Sequence, residues 1–334
     1  MPSRDPLAPP RVTVLGASGF VGSAVTAALS RRRIRLRAVA RRRSTVPAGG
    51  LADVEIRQAD LGDPRQLRDV LSGSDAVCHL VLHNGGWRDA DGDPASELVN
   101  VGVMRELIRF FAGPGRAGTC PVVVFAGSTS QIGAAAAGPV DGTETDRPVT
   151  TYDRQKRTAE ELLEAASAAG VVKGVSLRLP TVFGHRPGTP FADPGVLAAM
   201  MRRALAGEPL TMWHDGTVER DLLHVDDVAA AFLAALDHPD ELAGRHWPLG
   251  TGRGVRLGDV FRSIASIAAA KTGRPPVPVL SVPPPPHAVT ADLADLVTDP
   301  ARFAAATGWR ARTDLPSALE SAVDALAATL PEAA

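Results

Sequence analysis

The sequence predicts an α/β fold, a doubly wound parallel sheet followed by a smaller C-terminal α/β lobe. Short apolar runs alternate with helix-length segments through the first half of the chain. Several of those runs are continuously apolar, as in strands covered on both faces. A glycine-rich turn joins the first run to the first helix. This alternation is what parallel strands joined by crossover helices require.

Residues 11–15 read as the first strand, 21–30 as the first helix, and 34–40 and 54–58 as the next two strands. Asp63-Pro64 opens a helix over 65–72, with Asp as N-cap and Pro at the first helical position. Strands at 76–82, 122–126 and 175–179 are separated by helices near 95–112 and 152–169. Beyond residue 180, Pro and Gly become denser and strands become short and scattered. Segments 196–207, 225–236, 257–272 and 317–330 read as helices, and the Pro run at 282–286 as a rigid extended connector. This second part is expected to lie over the C-terminal edge of the sheet, where doubly wound folds bind ligands.

The 334 residues suit one large α/β domain or two intimate ones. A hydrophobic content of 45% affords a sizeable core, and a net charge of -1 argues against a nucleic-acid partner. Cys78 and Cys120 imply no disulfide framework. The N-terminus shows no apolar signal segment, and no run is long enough to cross a bilayer, so no membrane partner is expected and the expected compartment is the cytoplasm. The eight histidines form no metal motif, and no metal is expected.

The turn Gly16-Ala17-Ser18-Gly19-Phe20-Val21-Gly22 lies between the first strand and the first helix. In such a turn the first glycine permits the bend and the second lets the backbone approach a pyrophosphate. The third lets helix and strand pack closely, and the helix N-terminus presents N–H groups to the phosphates. The second strand then decides between cofactors. NAD sites usually place an acid at its end, whereas here it ends Val39-Ala40-Arg41-Arg42-Arg43. Arg41 and Arg42 offer planar forks for a 2′-phosphate, so NADPH/NADP is the expected cofactor. Arg31–Arg33 fall near the end of the first helix, where they complement its dipole. Asp60-Leu61 follow the third strand, and Asp60 fits either the adenine amino group or a cap for the turn before Asp63.

Tyr152 and Lys156 share one helical face by their i, i+4 spacing. A free tyrosine titrates at about 10, and a neighbouring ammonium lowers that value. Tyr152 is the only tyrosine in the chain. Ser128, just past the strand at 122–126, can donate a second hydrogen bond to a substrate oxygen, or simply cap a turn.

Together these residues resemble the extended short-chain dehydrogenase/reductase family, also called NAD-dependent epimerase/dehydratase, whose Rossmann sheet binds the cofactor. Further matches are His79-Leu80, Asn100, the stretch 177–184, the stretch 220–229 and Thr307-Gly308-Trp309-Arg310. Within the family the chain is most similar to the dTDP-4-keto-6-deoxyhexose 4-ketoreductases of antibiotic deoxysugar biosynthesis, of the erythromycin mycarose-branch type. The stretches carrying that likeness are 14–19, 39–42, 99–104, 122–128, 176–181 and 244–247.

The resemblance implies a cofactor domain at 11–180 plus about 219–250, and a sugar-nucleotide lobe at about 181–218 plus 251–334. It implies that Leu80, Val81, Pro180 and Val182 line the nicotinamide, with Lys156 also reaching its ribose. Ser128, Thr129, Ser130, Tyr152 and Thr181 would face the sugar. Arg220 would bind the nucleotide diphosphate, and Trp213 would lie near the base, beside His214 where the family often has Gly. The long segment after the fourth strand, with Trp87, either covers the sugar or is a variable surface loop. Arg186 either contacts substrate or is solvated. A homodimer is common in similar enzymes.

The implied substrate is a dTDP-linked 4-keto-6-deoxysugar, reduced at C4. Related dehydratases carry an Asp-Glu pair beside the catalytic hydroxyl, where this chain has Thr129-Ser130, so elimination of water is disfavoured. An internal-redox epimerase should retain tightly held NAD, and Arg41 and Arg42 argue against that. A non-catalytic NADPH sensor on the same fold would not need the Ser128, Tyr152 and Lys156 set.

Overall fold

A computed structural model of the chain describes residues 8–83, 93–114, 120–133, 138–185, 193–213, 215–286 and 288–328. In chain order the first elements are β1 (Arg11–Leu15), α1 (Phe20–Leu29), β2 (Arg35–Ala40), β3 (Asp53–Gln58), α2 (Pro64–Leu71) and β4 (Ala76–His79). They are followed by α3 (Pro94–Glu97), α4 (Val103–Phe111), β5 (Val122–Ser128), α5 (Thr151–Ala168), β6 (Lys173–Leu179) and β7 (Thr181–Phe183). Next come α6 (Val196–Ala206), β8 (Leu210–Met212), β9 (Glu219–His224), α7 (Val225–Asp237), α8 (Pro239–Leu242) and β10 (Arg245–Pro248). The chain closes with β11 (Gly254–Arg256), α9 (Leu257–Thr272), β12 (Val279–Ser281), α10 (Ala301–Thr307) and α11 (Leu315–Ala327).

The main sheet has seven strands in the order β10-β6-β5-β4-β1-β2-β3. β1 pairs in parallel with β2 on one side and β4 on the other. The strand order therefore reverses between β1 and β4, which opens the crevice where such sheets bind ligands. This is the doubly wound parallel sheet expected from the alternating pattern.

The chain divides into two compact units. One comprises Met1–Gly127, Thr150–Leu177 and Ala229–His246, the other Ser128–Val149, Arg178–Val228 and Trp247–Ala334. The first is held by an apolar cluster that includes Leu15, Val39, Leu67, Met104, Phe125 and Leu163. Arg37 breaks the apolar run of β2 yet is buried. Its Nη1 donates to Val70 O (2.6 Å) and Ser72 O (2.9 Å), and its Nε to Glu55 (2.8 Å), so the cation closes the C-terminal end of α2.

The helix expected near 95–112 is broken in character. Asp93 caps α3, a wide π turn spans Leu98–Gly102, and α4 continues from it. A π turn inserts an extra residue and re-aims side chains. Here it turns Asn100 inward, where its Nδ2 donates to Gln155 Oε1 of α5 at 2.7 Å.

The second unit packs α6, α9 and α11 around Leu205, Phe261, Ile264, Leu319 and Val323. Its strands form a three-stranded sheet, β11-β9-β7, and a two-stranded one, β12-β8. Most of these strands are three residues long, too short for any periodicity to mark them in the sequence.

Candidate active site

The glycine-rich turn hangs on the end of β2. Val39 O accepts from both Gly16 N (2.9 Å) and Ala17 N (3.0 Å). Gly16 has φ +86, and a Cβ there would fall 2.7 Å from Leu80 O at the end of β4. At Gly22 a Cβ would fall 2.0 Å from Gly16 O. Both positions therefore accept only glycine without backbone movement. The result is a tight cradle at the N-terminus of α1, whose first N–H groups have no partner within the helix. Backbone of this shape and polarity fits a pyrophosphate. Phe20 and Val21 form the first helical turn, Gly19 is the N-cap, and Ser18 precedes it half-buried. Arg41 and Arg42 follow β2 directly and are exposed.

Asp60 carries out the turn-capping role, its Oδ1 accepting from Gly62 N at 3.0 Å. Leu61 is buried in the core of the first unit. Leu80 and Val81 lie just beyond β4, both half-buried. Beneath them His79 is fully buried, edge-on to Phe125 at 5.3 Å. Burial, and then the nearby Lys156 charge, push its imidazole down to about 3, so it stays neutral.

Thr150 opens α5 with a reciprocal cap. Its hydroxyl accepts from Asp153 N (3.1 Å), and the Asp153 carboxylate accepts from Thr150 N (3.1 Å). That cap fixes the first turn, on which Tyr152 stands half-buried. One turn on, Lys156 is buried. Its Nζ donates to Ala126 O at 2.7 Å and lies 4.8 Å from the Phe125 ring and 5.8 Å from the Tyr152 ring. Burial pulls the ammonium down to about 8, against the opposing pull of Glu160. Between Tyr152 and Lys156, Gln155 accepts from Asn100 and donates to Ser96 Oγ (2.8 Å). Gln155 was missed by motif reading. Its signal was a polar residue on the inward face of an otherwise amphipathic helix.

Ser128 is the last residue of β5 and caps the short turn Thr129–Ile132. Its Oγ accepts from Ser130 N (3.3 Å) and lies 2.7 Å from Ser130 Oγ, while Ser128 N donates to Gln131 Oε1 at 3.0 Å. A capping role and a place beside a second hydroxyl thus coexist. Thr129 is buried and donates to Leu179 O (3.2 Å), which turns its side chain into the chain. Pro180, Thr181 and Val182 follow β6 and enter β7, all half-buried.

Arg220 lies on β9. Its Nη1 donates to Glu219 O and Ala294 O, and its Nη2 to Ala291 O (2.9 Å) and Asp292 O (2.9 Å). All four terminal N–H groups are thus directed at main-chain carbonyls, and a diphosphate would compete with them. Its neighbour Asp221 is buried and accepts from Thr251 N (2.9 Å), Thr251 Oγ1 (2.8 Å) and Thr298 Oγ1 (2.7 Å). Asp227 accepts from Arg312 N and Thr313 N, both at 3.0 Å, and Trp309 Nε1 donates to Asp227 O. The stretch 220–229 and the Gly-Trp signature near the C-terminus are therefore joined by hydrogen bonds. Trp213 is half-buried just past β8. Trp87, Arg186 and His214 lie outside the described residues.

Residues 12–250 match the NAD dependent epimerase/dehydratase family. Among curated relatives, a UDP-glucose 4-epimerase of Azospirillum brasilense is 30% identical over 288 residues, 78% of each chain. A dTDP-6-deoxy-L-talose 4-dehydrogenase (NAD(P)(+)) of Kitasatospora kifunensis is 31% identical over 240 residues, 69% of this chain and 71% of that one. Among solved structures, MoeE5 in complex with UDP-glucose and NAD superposes with a TM-score of 0.78 at 29% identity, covering 96% of this chain and 100% of that one. With the glycine cradle, the Tyr152 and Lys156 pair and the seven-stranded sheet, these likenesses agree: the chain belongs to the NAD dependent epimerase/dehydratase family.

Proposed function

We propose that the protein reduces the C4 ketone of a dTDP-linked 4-keto-6-deoxyhexose, using NADPH. The observation that carries this reading is the Tyr152 and Lys156 pair of α5, tied through Lys156 to β5, whose end Ser128 and following Thr129-Ser130 bring hydroxyls and no carboxylate. Without an acid and base there, water elimination has no group to drive it. Arg41 and Arg42 at the end of β2 favour a 2′-phosphate, hence an exchangeable NADPH and net reduction. The dTDP-sugar 4-dehydrogenase among the relatives supports the same substrate class.

Residues 11–180 with about 219–250 would hold the cofactor, and the remainder of the second half the sugar nucleotide. The bound nicotinamide supplies the hydride. Tyr152 protonates the oxygen that develops negative charge, Ser128 donates a second hydrogen bond to it, and the Lys156 ammonium keeps Tyr152 acidic. Ser130 Oγ, beside Ser128 Oγ, holds that hydroxyl in direction.

The test is a panel of dTDP-4-keto-6-deoxyhexoses with NADPH or NADH, read by loss of reduced cofactor and by NMR of the product. Stoichiometric oxidation of NADPH with a new C4 hydroxyl is expected. Interconversion of C4 epimers of a sugar nucleotide without net cofactor change would instead make the protein an epimerase. Cofactor binding without turnover of any sugar would make it a sensor.

A further inference from the structure

Tyr152, Lys156, Glu160 and Glu164 recur every fourth residue along α5, the spacing that stacks side chains one turn apart. The first two belong to the site above; the third is used by nothing described so far. Glu160 is 2% exposed, a rare burial for a carboxylate without partners. Partners are present. Ser176 Oγ of β6 donates to Oε2. His246 Nδ1 of β10 stands 3.7 Å from Oε1, and 3.2 Å from Glu164 Oε1. Lys156, one turn earlier on the same helix, is a further charged neighbour of Glu160 among the described residues.

The groups facing Lys156 are the Ala126 carbonyl and Phe125 ring of β5, the Tyr152 ring of its own helix, neutral His79 of β4, and Glu160. Of these, Glu160 alone carries a formal negative charge. A buried ammonium is driven to lose its proton, and a neutral lysine would leave Tyr152 an ordinary phenol. We propose that Glu160 is a positioning residue: its buried carboxylate, held by Ser176 and flanked by His246, keeps Lys156 protonated and thereby sets the acidity of Tyr152. His246 is partly exposed, 24% by its side chain, so its ring is open to solvent. A protonated His246 would draw on the Glu160 and Glu164 carboxylates together and so compete with Lys156 for Glu160. The role of Glu160 in turnover rests on the reading of Tyr152 and Lys156 as the reducing pair; its effect on the lysine charge does not.

The chain has three lysines, Lys156, Lys173 and Lys271, and the other two sit in exposed ion pairs with Asp240 and Asp324. An NMR titration of 15N-labelled lysine side chains in the full-length protein, without substrate, therefore resolves Lys156. In Glu160→Gln, which keeps the hydrogen-bonding shape, Lys156 is expected to titrate about one pH unit lower. Glu160→Asp, which keeps the charge, should return it close to the wild-type value. The alkaline limb of kcat should move down with it in Glu160→Gln and recover in Glu160→Asp. A Lys156 titration unchanged in a folded Glu160→Gln overturns the proposal. If that variant does not fold, the wild-type Lys156 signal is followed through the titration of His246. An inflection that His246→Gln erases supports the proposal, and no inflection overturns it. Since the titration needs no sugar, its outcome is independent of the keto-sugar panel.

Discussion

The Lys156 ammonium donates to the carbonyl oxygen of Ala126 at 2.7 Å, and that carbonyl lies two residues before Ser128 on the same strand. One hydrogen bond thus ties the helix that carries Tyr152 to the strand that ends in Ser128. The buried ammonium is met on both counts: it lies 4.8 Å from the Phe125 ring centroid and donates to a main-chain acceptor.

Replacing Tyr152 by Phe removes the proton donor and leaves the helix intact. Turnover should fall by about 10²–10⁴ with NADPH binding retained. Because Tyr152 is the only tyrosine, an ultraviolet absorbance titration reads its ionisation directly. It should begin below the value of about 10 expected of a free phenol.

Lys156→Met should raise stability near neutral pH while abolishing turnover. The folded value of Lys156 is pulled down to about 8 from 10.5. Below 8 the folded state carries a buried charge that the unfolded chain solvates at no cost. Between 8 and 10.5 the unfolded state binds the extra proton, so this group makes stability rise with pH in that window. In Lys156→Met that rise should disappear from a plot of Tm against pH.

The double substitution Arg41→Ala with Arg42→Ala should lower kcat/KM for NADPH by about 10- to 100-fold and leave NADH nearly unaffected. Equal losses with both cofactors would mean that the pair does not read the 2′-phosphate.

Gly22→Ala places a Cβ 2.0 Å from Gly16 O, a clash with backbone that no rotamer relieves. NADPH affinity, measured by fluorescence, should fall at least tenfold. Tm should drop in proportion to roughly 1–3 kcal/mol of overpacking.

Asp221→Ala strips a buried acceptor from Thr251, Gly252 and Thr298 at once. A loss of several kcal/mol is expected from stranding these donors, about 3–5 by analogy with broken buried charge networks. Chemical denaturation measures it, and Asp221→Asn should recover part.

The alternation of apolar runs and helices was enough to predict the sheet, because continuous burial and 3.6-residue periodicity are local properties of the chain. Gly16, Gly19 and Gly22 and the Tyr152 and Lys156 spacing were legible for the same reason, since each is a motif within one turn or one helix. What only the tertiary structure decided lies between segments distant in sequence. Arg37 is a charge within the otherwise apolar run of β2, and its acceptors, Val70 O and Ser72 O, come from more than 30 residues away. The π turn at Asn100 is invisible without Gln155 to receive it. Arg220 read as a ligand-binding charge, yet its partners include the main-chain carbonyls of Ala291, Asp292 and Ala294. Glu160 was one more acid on a helix until β6 and β10 closed around it. A sequence states which groups are polar or charged. Whether a charge meets water, a carbonyl or another charge is set by packing across long chain separations, and that contact decides what the charge does.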